Sequence, residues 1–80
     1  MLRQGDIEKI MEIILPSVAE RLAPLRKEKG LKQREMAELL NCTVQHYQRM
    51  EYGKVNLPAT TVIFLADYFG VTTDYLLGRE

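Results

Sequence analysis

Four side chains with complementary binding chemistry lie close together in the middle of the chain. Val44, Gln45, Gln48 and Arg49 would share one face of a helix, because residues one, four and five positions apart are neighbours at 3.6 residues per turn. A glutamine amide has the donor and acceptor that match adenine N6 and N7, and a guanidinium matches guanine O6 and N7. A valine methyl group can touch a thymine methyl group. These four side chains can therefore reach the edges of bases, which makes them candidate base contacts.

Other kinds of site have weaker support. Cys42 and His46 are four residues apart, but the chain has one cysteine and one histidine, so a metal site built on them lacks further ligands of those types. A Cys–His catalytic pair would also need an orienting group and an enclosed pocket. Cys42 is better explained as a small core residue. We expect no enzyme activity, no metal and no cofactor.

Composition favours one small cytoplasmic domain. The 80 residues are 46% hydrophobic and 28% charged, which is ordinary for a globular protein. The single cysteine excludes an internal disulfide and fits a reducing compartment. No apolar run approaches the roughly 20 residues of a membrane span, and acidic residues interrupt any signal-peptide core near the N-terminus.

The net charge is zero, but the charge is unevenly distributed. From Arg21 to Lys54, eight basic and four acidic residues give +4, and the rest of the chain carries −4. Positive charge therefore accumulates around the polar face, where it would attract phosphate groups. A simpler explanation, that the lysines lie on a solvated helix end, accounts for the uneven charge about equally well.

Caps and stop residues divide the chain into helices, without any strand pattern. Ser17 and Glu20 have the spacing of a capping box, and Gly30 is a helix stop. Pro24 either kinks this first helix or starts a shorter one. A short helix is expected over 33–40.

The polar face belongs to a predicted helix over 43–52. Asn41 makes the turn before it because asparagine tolerates a positive φ, Thr43 is its cap, and Gly53 ends it. The next helix turns Ile63 or Leu65 inward. Pro58 suits the first turn of that helix, and Gly70 ends it. Thr72 or Thr73 caps a last short helix, which Gly78 ends. The chain is thus predicted to be an all-α bundle of five helices.

Residues 1–16 form a predicted N-terminal helical extension of the main domain, 17–80. Its isoleucines recur at the spacing of one helix face, and Pro16 ends or bends it. This face either packs back on the bundle or joins a second copy. We favour self-association, because the face would otherwise form an exposed apolar patch. The candidate interface residues are Leu2, Ile7, Ile10, Ile14 and Phe64.

Residues 20–78 resemble the phage-repressor-like (Cro and Xre-type) helix-turn-helix domain. The resemblance lies in segments 25–33, 36–40, 49–54, 65–71 and 74–78, which occur in the family's order. It implies a five-helix, lambda-repressor-like bundle whose recognition helix, 43–52, enters the major groove. It also implies a sequence-specific transcriptional regulator, a repressor that binds double-stranded DNA as a homodimer.

The resemblance assigns further roles. Gln33 and Thr43 match positions that bind phosphate at helix N-termini, and Arg26 and Glu51 match a partly buried ion pair. Tyr47 is large for its buried position, so its hydroxyl is expected to reach polar surroundings. Further candidate phosphate contacts are Arg34, His46, Lys54 and Asn56.

A different class of function is also consistent with the sequence. The same fold can serve as an antitoxin-like or adaptor module that binds a toxin or another regulator, with DNA binding secondary. The zero net charge and the apolar extension favour this alternative. Selection from random duplexes separates the two hypotheses.

Overall fold

The computed structural model describes residues 16–79. This range contains five α-helices and no strand: α1 (Pro16–Glu28), α2 (Gln33–Leu39), α3 (Val44–Glu51), α4 (Ala59–Phe69) and α5 (Thr73–Leu77). The predicted five-helix, all-α architecture is confirmed. Residues 1–15, which include the predicted interface residues Leu2, Ile7, Ile10 and Ile14, lie outside the described residues.

For helix α1, one prediction is wrong and one open choice is decided. It begins at Pro16, so Ser17 lies inside the helix and the predicted cap is wrong. It also continues through Pro24, which excludes a shorter helix starting there. The Pro24 side chain is exposed, and its ring therefore does not displace core residues.

Side-chain caps begin three of the helices. The Glu35 carboxylate accepts a hydrogen bond from the Lys32 N–H at 3.0 Å at the start of α2. Thr43 Oγ1 accepts from the His46 N–H at 3.1 Å, and Thr72 Oγ1 accepts from the Tyr75 N–H at 3.0 Å. Each bond satisfies a backbone group that a helix end leaves free. Thr72 is therefore the cap of α5.

The turns on either side of α3 depend on left-handed backbone conformations. Asn41 has φ 55° in the turn from α2, as predicted. Gly53 has φ 72° just after α3, and a Cβ atom there would lie 3.5 Å from the Cβ of Ala19. The chain thus leaves α3 in close contact with α1.

The core holds α3 from one side. Helix α3 packs against α1 and α2, and α5 packs against α1 and α4. Leu65 is fully buried whereas Ile63 is 53% exposed, so Leu65 is the inward residue of α4. The core cluster consists of Leu22, Met36, Ala37, Tyr47, Met50, Val62, Leu65, Ala66 and Leu76.

Within residues 16–79, no helix has the length and apolar character needed to cross a membrane.

Candidate nucleic-acid interface

The outward face of α3 carries three of the four predicted base contacts. Gln45 and Arg49 are exposed and Gln48 is half-buried, while Tyr47 and Met50 on the opposite side are buried. Since buried residues anchor one side of the helix, Gln45, Gln48 and Arg49 lie on the side away from the core.

Val44 differs from the other predicted base contacts. It is half-buried and packs against the core cluster, at the start of α3. Only part of its side chain is therefore available for an apolar contact with a base.

Arg26 and Glu51 form a buried ion pair with two parallel hydrogen bonds. Arg26 Nε donates to Glu51 Oε2 and Arg26 Nη2 donates to Glu51 Oε1, both at 2.9 Å. Arg26 Nη1 also donates to the Leu31 carbonyl at 2.7 Å. One guanidinium thus connects α1, the loop before α2 and the end of α3, so it helps to fix the orientation of α3.

Glu51 remains an ionised acceptor at neutral pH. Burial alone would raise the pKa of Glu51, but hydrogen bonds from Arg26 and Gln33 and the positive charge of Arg26 together hold the pKa below its usual value. An ionised carboxylate has no hydrogen to donate, so every polar neighbour must present a donor to it.

We expect acid to weaken the fold through Glu51. Its folded-state pKa is lowered, so its contribution is fully present above the unfolded pKa of about 4.3 and is lost as the pH falls through the lower folded value. Urea unfolding of the wild type should show a steeper loss of stability below about pH 5 than Glu51→Gln, which cannot titrate. Parallel pH profiles for the two proteins would contradict this role.

Tyr47 lies beneath the ion pair. The side chain is fully buried, and burial together with the neighbouring Glu51 carboxylate raises its pKa, so the hydroxyl stays protonated. The hydroxyl lies beside Arg26 and Glu51, yet no hydrogen bond of ordinary geometry reaches it within the described residues. Its buried ring belongs to the core cluster.

Gln33 connects the ion pair to the outward face of α3. Its Nε2 donates to Glu51 Oε1 at 3.2 Å and to the Tyr52 hydroxyl at 3.3 Å. Its Oε1 accepts from Gln48 Nε2 at 3.0 Å. Both amide hydrogens thus donate to other side chains, and Gln33 bridges α2 and α3. Its predicted phosphate contact stays a prediction.

Tyr52 extends this polar surface and is not among the site residues predicted from the sequence. It is 61% exposed directly after α3, and its hydroxyl accepts from Gln33. Tyr52 follows Gln48 by four positions and Arg49 by three, so it continues the polar face. That spacing is the signal in the sequence that identifies it.

The other predicted phosphate contacts surround α3 and stay predictions. Thr43 and His46 are exposed at the start of α3, and Arg34 is exposed in the first turn of α2. Lys54 and Asn56 are exposed in the loop that follows Gly53. The structure thus distributes these polar groups along both ends of the recognition helix.

The metal and nucleophile hypotheses gain no support in the described range. Among residues 16–79, no three His, Cys, Asp or Glu side chains are grouped closely enough to hold a metal ion. Cys42 is half-buried, and burial raises the pKa of its thiol. A raised thiol pKa disfavours the reactive thiolate.

Phe64 lies on a separate, apolar part of the surface. It is 41% exposed on α4 and stacks on Tyr68 with ring centroids 6.1 Å apart. Together with Leu39, which is 39% exposed, it borders a shallow depression between α2 and α4. We call this pair of side chains the Leu39–Phe64 patch.

Comparison with known proteins identifies relatives with a matching domain. A family model described as helix-turn-helix matches residues 24–76. The SPbeta prophage-derived uncharacterized HTH-type transcriptional regulator YonR of Bacillus subtilis strain 168 is 41% identical over 58 residues. The HTH-type transcriptional regulator ImmR of the same strain is 33% identical over 64 residues. These matches cover 72% and 80% of the chain and 54% and 50% of the relatives, so the chain spans about half of their length.

A solved structure has the same fold. It is described as the crystal structure of a transcriptional regulator from Listeria innocua, and it matches with a TM-score of 0.72 and 38% sequence identity. The match covers 76% of this chain and 57% of that protein.

Proposed function

The chain belongs to the helix-turn-helix family, whose model spans residues 24–76, and we propose that it is a sequence-specific DNA-binding transcriptional regulator acting as a repressor. The outward polar face of α3 carries this proposal, because Gln45, Gln48 and Arg49 are base-reading side chains on a helix that the core holds from behind. The regulators among its relatives support the same conclusion. A DNA-binding regulator acts where the DNA is, and we propose the cytoplasm for this one.

The proposed mechanism divides the surface into reading and anchoring groups. A B-form major groove about 12 Å wide accepts a helix such as α3, whose amides and guanidinium then meet the base edges while Val44 touches a thymine methyl group. Arg34 and Lys54 supply positive charge to the flanking phosphates, joined by Thr43, His46 and Asn56. The phosphate contacts fix the register, and the α3 contacts select the sequence.

Selection of binding sites from random double-stranded DNA tests this proposal. We expect a short, roughly palindromic sequence to be enriched by the wild type. A variant with both Gln45→Ala and Arg49→Ala, which changes only exposed side chains, should lose this enrichment while keeping the wild-type fold by circular dichroism. Recovery of random sequences by the folded wild type would contradict sequence-specific binding.

Lys54→Ala should weaken binding without changing the preferred sequence. Removing one phosphate contact should reduce the slope of log K against log salt concentration by about one unit. Arg79→Ala is the control, because Arg79 is an exposed basic residue beyond α5 and far along the chain from the recognition helix. Equal slopes for Lys54→Ala and the wild type would exclude the phosphate contact.

We further propose that two copies associate through the N-terminal segment and Phe64. Dimeric readers of this kind bind half-sites about 34 Å apart, and the isoleucines at 7, 10 and 14 give the segment an apolar pattern suited to association. Sedimentation at high micromolar concentration should detect a dimer. Phe64→Ser should weaken it more than Ile63→Ser, which lies about 100° around the same helix. A monodisperse monomer would contradict self-association.

A protein partner is the second candidate. The exposed Leu39–Phe64 patch favours it, because contiguous apolar side chains on a surface can mark an interaction site. A folded wild type that enriches no DNA sequence would support this antitoxin-like or adaptor function instead.

A further inference from the structure

The side-chain amide of Gln48 has its nitrogen directed into the protein. We infer that the Arg26–Glu51 pair, acting through Gln33, holds the Gln48 carbonyl oxygen toward the groove, so that Gln48 selects a base with an amino group, adenine or cytosine. This inference rests on the proposed DNA binding. It specifies which class of base Gln48 reads, and it identifies Gln33 as a positioning residue.

The orientation begins with the carboxylate of Glu51. Because that carboxylate only accepts hydrogen bonds, the Gln33 side chain must turn its NH₂ group toward it, as the distance of 3.2 Å from Nε2 to Oε1 records. The two bonds from Arg26 hold the carboxylate in place. The second Nε2 hydrogen of Gln33 is directed to the Tyr52 hydroxyl at 3.3 Å.

The orientation of Gln33 then determines that of Gln48. With its nitrogen directed to Glu51 and Tyr52, Gln33 can offer only its carbonyl oxygen to Gln48, and that oxygen accepts from Gln48 Nε2 at 3.0 Å. If the Gln48 amide turned over, two carbonyl oxygens would face each other with no hydrogen between them. Since this contact is partly buried, the lost bond would not be fully replaced by water.

This fixed amide limits which bases suit Gln48. Its Oε1 makes no hydrogen bond to the described residues and can accept from N6 of adenine or N4 of cytosine. Guanine O6 and thymine O4 have no hydrogen to donate to Gln48 Oε1, so with these bases that oxygen is left unsatisfied. One Nε2 hydrogen also stays available for N7 of adenine, so adenine is the better of the two.

Site selection with five proteins tests the inference. The wild type should show one position that prefers adenine or cytosine, and Gln48→Met and Gln33→Met should both reduce that preference by about tenfold. The double variant should match Gln48→Met, since Gln33 acts through Gln48. Gln45→Ala is the matched control and should alter a different position. Gln33→Met that weakens all sequences equally, or that leaves the preference intact, would overturn the inference.

NMR of the free protein separates this inference from the proposed function. In the wild type, the Gln48 side-chain amide should exchange slowly with solvent and show a cross-relaxation contact to Tyr52 or Gln33. In Gln33→Met, the side-chain amide signals of Gln48 should move to the values of a solvent-exposed amide, while the Gln45 amide signals stay unchanged. Solvent-like Gln48 signals in the wild type would refute the positioning role, whether or not DNA binds and whether or not the variant folds. A wild type with an ordered Gln48 amide and no enriched DNA site would instead refute the proposed function.

Discussion

Arg26→Ala is expected to lower the free energy of unfolding by about 3–5 kcal/mol, because it leaves the buried carboxylate of Glu51 without its charged partner. It also releases the Leu31 carbonyl in the loop before α2. A chain of this length has a total stability of only about 4–12 kcal/mol. Urea unfolding should therefore show a midpoint shifted far toward zero denaturant, or a chain already partly unfolded in buffer.

The matched control for this change is Lys27→Ala. Lys27 follows Arg26 on α1 and is exposed, so its removal should change stability by no more than about 0.5 kcal/mol. Similar losses for the two variants would show that Arg26 acts only as a helix-forming residue.

A double-mutant cycle measures the pair itself. Glu51→Ala strands the Arg26 charge and removes one acceptor of Gln33, so it should also be strongly destabilising. The double variant removes both charges, and its loss should be smaller than the sum of the single losses by at least about 1 kcal/mol. Additive losses would show that the two side chains do not act as an ion pair.

Arg49→Ala is expected to reduce binding to the preferred DNA sequence by about 1–3 kcal/mol and to relax the preference at one base pair. Arg49 is exposed on the outward face of α3, and its planar guanidinium can bond guanine O6 and N7 together. Gel-shift titrations against the selected site and its single-base variants would measure both effects. The variant should lose discrimination mainly against replacement of one guanine.

Arg34→Ala and Arg49→Lys serve as controls for the base contact. Arg34 is an exposed arginine of α2 that we assign to phosphate, so its loss should weaken all duplexes to a similar degree. Lysine keeps the charge of Arg49 but not the paired donors, so Arg49→Lys should retain affinity for random DNA and lose discrimination. An Arg49→Ala variant that behaves like Arg34→Ala would refute base reading.

Local sequence signals predicted the elements that depend on near neighbours. The cap at Thr43 and the left-handed turn at Asn41 each involve contacts within a few residues, so the residue type carries the information. The predicted cap at Ser17 was wrong because α1 begins at Pro16. Pro58 also differs slightly: it precedes α4, which begins at Ala59, instead of lying in its first turn.

The choice between competing residues needed tertiary packing. Ile63 and Leu65 are equally apolar and both fit the helical pattern, but the helices packed against α4 bury Leu65 and leave Ile63 exposed. Pro24 is similar, since packing of α1 against α3 and α5 outweighs the one backbone hydrogen bond that a proline removes.

The sequence by itself determined the all-α fold and the outward polar face of α3, because helix periodicity and capping are local properties of the chain. Only the tertiary structure decided what that face can read. The bonds of Gln33 to Gln48, Glu51 and Tyr52 span 15, 18 and 19 residues, and they exist only because α2 and α3 pack side by side. No pattern of residue types encodes such distances, so the bridge formed by Gln33 and the direction of the Gln48 amide follow from packing alone.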